Sequence, residues 1–573
     1  MPSDFSAWSN EVASFARRYR GKVQIYEILN ESNIWGGRAK NPDPSKYLEM
    51  NVETNIRTIE ALAKAIRSAD PQARIAGPAS CHTDVLWTSG ILAGGGAKYL
   101  DVITEHPYRQ IPELPDYETD IQSLRKAADR YRKEYPLTAS EAGERSSVQF
   151  QDNLIPDYAR RQVAYNTRMM LIGLANGLQQ YYHFSFGLDA EGTGWNFILQ
   201  GNPENRHHPI PSPVMFACRN AIDRLEDAKP LERIRIGSNY RCYLFDRGDV
   251  RVATLWKWNG KPVAMKLSPE LKNNSRVYDV MGTKLGTEKI ELGPWPFYLE
   301  SSLPADRLKQ AVLNSGFSSE EKELFDVSPL ITGKREFELR IRNLSPRAIR
   351  GTASVNGRSV PFRNIPPEES VNLTFPTERP ISMNDYPVRA EIREATSGRK
   401  KTLDLNLKAV MVPRAVKPLT IDGDLSDWPA EAEELPLSKR TRLTAWTNAE
   451  NTIRGNVRFA WDETFFYLAV TALKKEYVES EVGVSGLWLA DGIQFAFDPI
   501  RNATKAVKGY QDDDFEYAAA LLRNKPVVYR SAASVATYDS LDKTKGVVDD
   551  VSCAIRVLPG KTVYELAFPR QSV

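Results

Sequence analysis

Two glutamates, Glu31 and Glu141, stand where short apolar segments end, and as a pair they could do acid/base and nucleophilic chemistry. The first closes the segment QIYEILNESN (24–33), and the second lies in LTASEAGERSS (137–147). Glycoside hydrolysis requires two carboxyls flanking the scissile bond. One protonates the departing oxygen, and in the retaining version the other attacks the anomeric carbon, with the pair about 5–5.5 Å apart. The acid must keep its proton while the nucleophile stays ionised, and neighbouring charges and hydrogen-bond donors set that difference. Glu27 lies four residues before Glu31. Side chains alternate along a strand, so the two share a face, about 13 Å apart along it. In parallel barrels the chemistry sits at the C-terminal ends of strands, which selects Glu31 and makes Glu27 an interior, paired carboxylate. Glu144 rivals Glu141 but falls in the loop beyond the strand. A lone strand-end glutamate is more often a solvated loop residue, so the argument for chemistry rests on the pair.

Helices alternating with short apolar strands must position these groups. Residues 1–230 read as a helix opened by Pro2-Ser3-Asp4 and running to 19, followed by five βα units. The expected strands are 24–30, 73–77, 99–104, 137–140 and 178–184. The helices between and after them are 45–68, 85–92, 120–135, 157–176 and 213–227, the first of them with Leu48, Ile56, Ile59, Leu62 and Ile66 at helical spacing. This alternation predicts a parallel sheet with helical cover. An open doubly wound sheet would carry a Gly-rich turn after its first strand, and the turn after Asn30 has none. A barrel of about 250 residues needs eight such units, so three strands, about 80–100 residues, are expected to be missing from the front. A remnant of five strands would expose a sheet edge and lack part of its substrate cleft.

From about 232 the period changes to two. Tyr240, Cys242 and Leu244 alternate with Arg241, Tyr243 and Phe245; later Phe337, Leu339 and Ile341 alternate, as do Leu403, Leu405 and Leu407. The reading is a multidomain α/β plus all-β chain: a partial (β/α) barrel, 1–230, followed by three β-sandwich domains. These are an accessory sandwich, 231–303, an immunoglobulin-like sandwich, 304–412, and a last all-β block, 413–573, whose final strand is expected to be cut by the chain end. The whole sequence has 573 residues, enough for three to five domains at roughly 100–200 residues each. Its net charge of +3 and lack of basic runs suggest no nucleic-acid or anionic-membrane partner. No stretch of 18 apolar residues predicts a membrane span. Cys81, Cys218, Cys242 and Cys553 are scattered, without a zinc or disulfide framework. The 11 Trp and 24 Tyr offer flat rings for stacking on sugars, although most are expected to fill β cores.

The combined pattern resembles glycoside hydrolase clan A, especially family 39 and its relatives. Asn30-Glu31 matches the Asn-Glu pair that ends the clan's fourth strand, and Glu141 the glutamate that ends the seventh. DVITEHPYR (101–109) is similar to the clan's His-x-Tyr signature through His106 and Tyr108. The resemblance covers about 1–300 and makes the five strands numbers four to eight of a barrel. It implies a retaining glycosidase with Glu31 as general acid/base and Glu141 as nucleophile, acting on poly- or oligosaccharides by double displacement without a cofactor or catalytic metal. It also implies that Tyr108 hydrogen-bonds the nucleophile and that Asn30 binds the sugar 2-hydroxyl. Tyr182, in QQYYHFSF, stands where relatives place a Trp under the sugar ring, and Trp195, in EGTGWNF, is a candidate for lining the cleft.

The C-terminal segments KPLTIDGDLSDW, RFAWDETFFYLAV and GLWLADGIQFAFDP resemble family 9 carbohydrate-binding modules. This implies sugar contacts by Trp446 and Trp488, with Trp461 a weaker candidate, and a possible structural calcium near Asp422, Asp424 and Asp427. For Trp428 and Trp461 core packing is the better reading, and for the three aspartates a solvated turn, since the full twelve-residue calcium-loop pattern is missing. An exported enzyme, extracellular or periplasmic, is the resulting expectation. The alternative is a non-catalytic carbohydrate-binding or adhesion protein whose barrel has decayed.

Overall fold

The structure, a computed structural model, describes residues 5–35, 52–109, 111–113, 117–143, 155, 157–184, 199–202, 205–237, 239–288, 290–317, 324–345, 347–382, 384–437, 454–474, 476–479, 487, 490–498, 514–532, 546–548 and 550–570. The N-terminal region runs α1 (Phe5–Arg18), β1 (Ile25–Glu27), α2 (Val52–Ala69), β2 (Arg74–Cys81), α3 (Val85–Ala93), β3 (Val102–His106), α4 (Tyr117–Asp129), β4 (Leu137–Ala142), α5 (Tyr158–Ala175), β5 (Leu178–His183) and α6 (Pro213–Leu225). The five strands form one sheet in the order β1-β2-β3-β4-β5, with β1 parallel to β2 and β4 parallel to β5. A doubly wound sheet reverses its strand order at a switch point, and this order never reverses. With right-handed crossovers, sequential order puts every helix on one face. That is the winding of a (β/α) barrel, and the region is part of one.

Local chemistry explains the elements. Asp84 caps α3 by accepting the Trp87 N–H (3.1 Å), and Asp157 caps α5 through Arg160 N–H (2.8 Å). Pro213 opens α6 at its first turn, where its missing N–H is not needed. In α2, Ile59, Leu62, Ala63 and Ile66 make one buried stripe, as their spacing predicted. Every residue of β3 is buried, as is all of β2 after Arg74, which fits strands covered on both faces. At the edges of the sheet this cover is lost: β1 exposes Glu27, and β5 exposes Gln179, Gln180 and Tyr182. Glu27 is therefore not the interior, paired carboxylate expected. Strand β3 starts three residues later than its apolar run because residues 96–98 form a 3-10 turn closed by Tyr99 N–H on Gly96 O (2.9 Å).

Antiparallel sheets follow. One pair of sheets, six-stranded and three-stranded, encloses a core that includes Cys242, Leu255, Met265 and Leu299. This region does not end at 303. Helix Ala305–Leu313 sends Leu308, Ala311 and Val312 into the same core, and Phe317 pairs with Met265. The polar stretch after 301 hid an amphipathic helix whose apolar residues recur at i, i+3 and i+4. The next pair, three- and four-stranded, shares a core around Phe337, Ile341, Phe375 and Ile392, seven strands in all. The last region has a five-stranded and a four-stranded sheet, with Phe495, Phe497, Tyr517 and Phe568 clustered at ring separations of 5.3–6.3 Å. Among the described residues no helix is long and apolar enough to cross a membrane.

Candidate active site

Glu31 does not continue a regular strand. The β1 ladder stops at Glu27, and both Leu29 (φ 69°) and Glu31 (φ 47°) take left-handed backbone conformations. Such conformations cost about 1–3 kcal/mol for a side-chain-bearing residue and persist only where the surroundings enforce them. The enforcing bonds are present. Glu31 N–H donates to Ala79 O (2.9 Å), while Asn33 accepts from Cys81 N–H (2.9 Å) and donates to Cys81 O (3.0 Å) and to Asp84 (3.1 Å). Ser32 Oγ donates to Asn55 of α2 (2.7 Å). The turn is thus stitched to the end of β2 and to α2, and Glu31 is held only 8% exposed. Asn33 went unnoticed in the sequence, where it looks like one more polar loop residue. Asn30 is exposed beside this buried turn.

The second group forms around Glu141 at the end of β4. Tyr108 Oη donates to Glu141 Oε2 (2.9 Å), and His106 Nδ1 lies 3.6 Å from the same oxygen. Both aromatic residues are buried, whereas the Glu141 side chain is 29% exposed. A carboxylate reached by solvent on one side and held by a phenol on the other has a fixed orientation and an approachable oxygen. Phe184, just past β5, presents its ring edge-on to Tyr108 at 6.2 Å, and its N–H donates to Ala142 O (2.8 Å). The structure brings His106, Tyr108 and Glu141 together, with Phe184 beside them. The same segment is anchored further on, where Arg109 pairs with Asp120 and lies 4.9 Å from the Tyr117 ring centroid.

Strand β5 separates its two tyrosines. Tyr181 is turned into the protein, and burial pushes its phenol well above the usual range. Tyr182 is 52% exposed, with its hydroxyl on Gln180 (3.3 Å). Glu144, Trp195, Trp446 and Trp488 lie outside the described residues.

In the C-terminal region Trp428 is a core residue, donating Nε1–H to Glu565 (2.7 Å). Trp461 donates to Val412 O (3.1 Å), with Arg414 and Arg570 near its ring. Buried Glu565 also accepts Asp422 N–H (3.0 Å) and Gly423 N–H (2.8 Å). The aspartates cap turns: Asp422 accepts Asp424 N–H, Asp424 accepts Ser426 N–H, and Asp427 accepts Thr420 N–H. These bonds fit turn capping rather than a shell of six to eight oxygens around calcium. Glu565 escaped the sequence reading because nothing in its strand marks it as the residue facing that loop.

Residues 2–120 match the family model for glycoside hydrolase family 44. The N-terminal region is a glycoside hydrolase domain. Among solved structures, the chain is similar to a family 39 β-xylosidase from Caulobacter crescentus, with 14% identity, a TM-score of 0.34, and coverage of 52% of this chain and 72% of that one. It is also similar to a family 30 endoxylanase from Clostridium papyrosolvens (10% identity, TM-score 0.36, coverage 52% and 72%). A third similar structure is a family 86 β-porphyranase from Bacteroides plebeius (11% identity, TM-score 0.37, coverage 65% and 77%). Comparison with curated proteins returns no match.

Proposed function

We propose that the chain is a retaining glycoside hydrolase acting on O-glycosidic bonds of poly- or oligosaccharides. In the first step a Glu141 carboxylate oxygen attacks the anomeric carbon, while Glu31 donates its proton to the departing glycosidic oxygen. The glycosyl–enzyme ester is then cleaved by water, whose proton returns to Glu31 as the oxygen adds to the anomeric carbon and Glu141 leaves. The observation that carries the reading is the Tyr108–Glu141 hydrogen bond, made at the C-terminal end of β4 in a chain whose residues 2–120 match a glycoside hydrolase family model. The buried, backbone-anchored Glu31 beyond β1 also supports it. Asn30, His106, Tyr182 and Trp195 are assigned to the sugar subsite, and Trp446 and Trp488 to an appended sugar-binding sandwich. A chain of this kind belongs outside the cell or in the periplasm, where its polymer is.

The test is turnover of aryl glycosides. Glu141→Ala should abolish it, and the proton NMR spectrum of the first-formed sugar should show the anomeric configuration of the substrate. Unchanged turnover in Glu141→Ala would refute the nucleophile assignment. An inverted product would refute double displacement, as would a crystal structure with the two carboxyls more than about 10 Å apart, since retention works at about 5–5.5 Å.

A further inference from the structure

Five residues beyond the His-x-Tyr signature, the segment that continues from Tyr108 buries a charge. Glu113 has no exposed side-chain surface, and its two oxygens go to different elements. Oε2 pairs with Arg168 Nη2 of α5 (2.5 Å), and Oε1 accepts Trp256 Nε1–H (2.8 Å) from the all-β region that follows the barrel. Arg168 is itself fully buried. It reaches Pro294 O with Nη1 (3.4 Å) and lies 4.5 Å from the Tyr165 ring centroid. Between Tyr108 and Glu113, Ile111 packs on the cluster of Ile155, Ala164 and Tyr165, beside Trp295. The segment is short and carries Pro112, so fixing Glu113 restricts where Tyr108 can be.

A buried ion pair is a weak source of stability, because apolar residues of the same volume often serve as well. It does impose geometry: one donor per carboxylate oxygen fixes both the plane and the position of the carboxyl. We propose that Trp256 and Arg168 are positioning residues for catalysis, clamping Glu113 so that the Tyr108 phenol meets Glu141. This rests on the reading of Glu141 as nucleophile. The all-β region thereby contributes a residue to the order of the active site without touching substrate.

The experiment is a double-mutant cycle on the full chain with Trp256→Phe, which keeps the ring and removes the N–H, and Tyr108→Phe. The expected result for Trp256→Phe is a fall in kcat of about tenfold with KM changed less than about twofold. The double variant should be no slower than Tyr108→Phe alone, since the clamp acts only through the phenol. Multiplying losses would overturn the proposal, because a residue that merely stabilises the fold would slow both backgrounds equally. Glu113→Gln, which retains an acceptor for Trp256, gives a second route should Trp256→Phe not fold. Hydrogen exchange supplies an activity-independent arm. Faster exchange across 106–113 in Trp256→Phe or Glu113→Gln, with 240–246 unchanged, supports the clamp even if the wild type turns over no glycoside, a result that would sink the nucleophile reading alone. Unaltered exchange across 106–113 would overturn the clamp.

Discussion

Tyr108→Phe isolates the bond on which the site depends. The phenol is buried and donates to Glu141 Oε2 at 2.9 Å, while its ring meets Phe184 at 6.2 Å and His106 at 6.4 Å. Phenylalanine keeps the ring contacts and loses only the donor. A hydrogen bond to a charged group contributes about 1.5–3 kcal/mol. Glu141 is partly open to solvent, so water can replace some of it, and about 1.5 kcal/mol is the figure to expect. At 1.36 kcal/mol per decade that is about a tenfold loss in kcat/KM for an aryl glycoside. The same bond is lost from the folded protein, so stability should fall by no more than about 1.5 kcal/mol, measured by urea denaturation. The reasoning fails if kcat/KM changes less than twofold while the fold is intact. Equally damaging would be a large loss of stability with full activity in the remaining folded fraction, since the hydroxyl would then serve packing rather than the carboxylate.

Three further outcomes follow from the all-β regions. Gly351→Ala should unfold the seven-stranded region around Phe337 or prevent its folding, because a Cβ there would lie 2.0 Å from Arg393 O and 2.8 Å from Phe362 Cζ; retained thermal stability would contradict this packing. Glu565→Ala strands the N–H groups of Asp422, Gly423 and Trp428, at about 1–3 kcal/mol for each that stays buried. A loss of several kcal/mol is expected, with sharply faster exchange at Asp422 and Gly423, and a variant as stable as wild type would remove that role. Burial by itself would raise the Glu394 carboxyl, but hydrogen bonds from Ser397 Oγ, Ser397 N–H and Thr396 N–H outweigh it and hold the group down at about 2, against an unperturbed 4.5. A folded-state value below the unfolded one means stability present above pH 4.5 and lost as pH falls toward 2. Glu394→Gln should therefore lose stability at pH 7 and show a shallower fall in Tm between pH 5 and 2 than wild type.

Much of the N-terminal architecture was legible in the sequence, because a helix stripe such as Ile59, Leu62 and Ile66 and the switch to period two near Tyr240 are local signals. His106, Tyr108 and Glu141 were singled out by the resemblance of their motifs to clan A, not by any local periodicity. What the sequence could not contain is which distant groups meet. Strand alternation put Glu27 on the face of Glu31 as an interior carboxylate, yet the ladder ends at Glu27 and the left-handed Leu29 breaks the alternation before Glu31 is reached. The boundary near 303 moved to 317 because only packing shows that Leu308 and Val312 belong to the preceding core. Glu113, Arg168 and Trp256 are spread over 143 positions. No periodicity links them, since their pairing exists only once a loop, a barrel helix and a sheet strand exclude water from the same small volume. A sequence fixes the faces of its elements through spacing, whereas the partners of a buried charge are decided by desolvation, and desolvation is a property of the assembled fold.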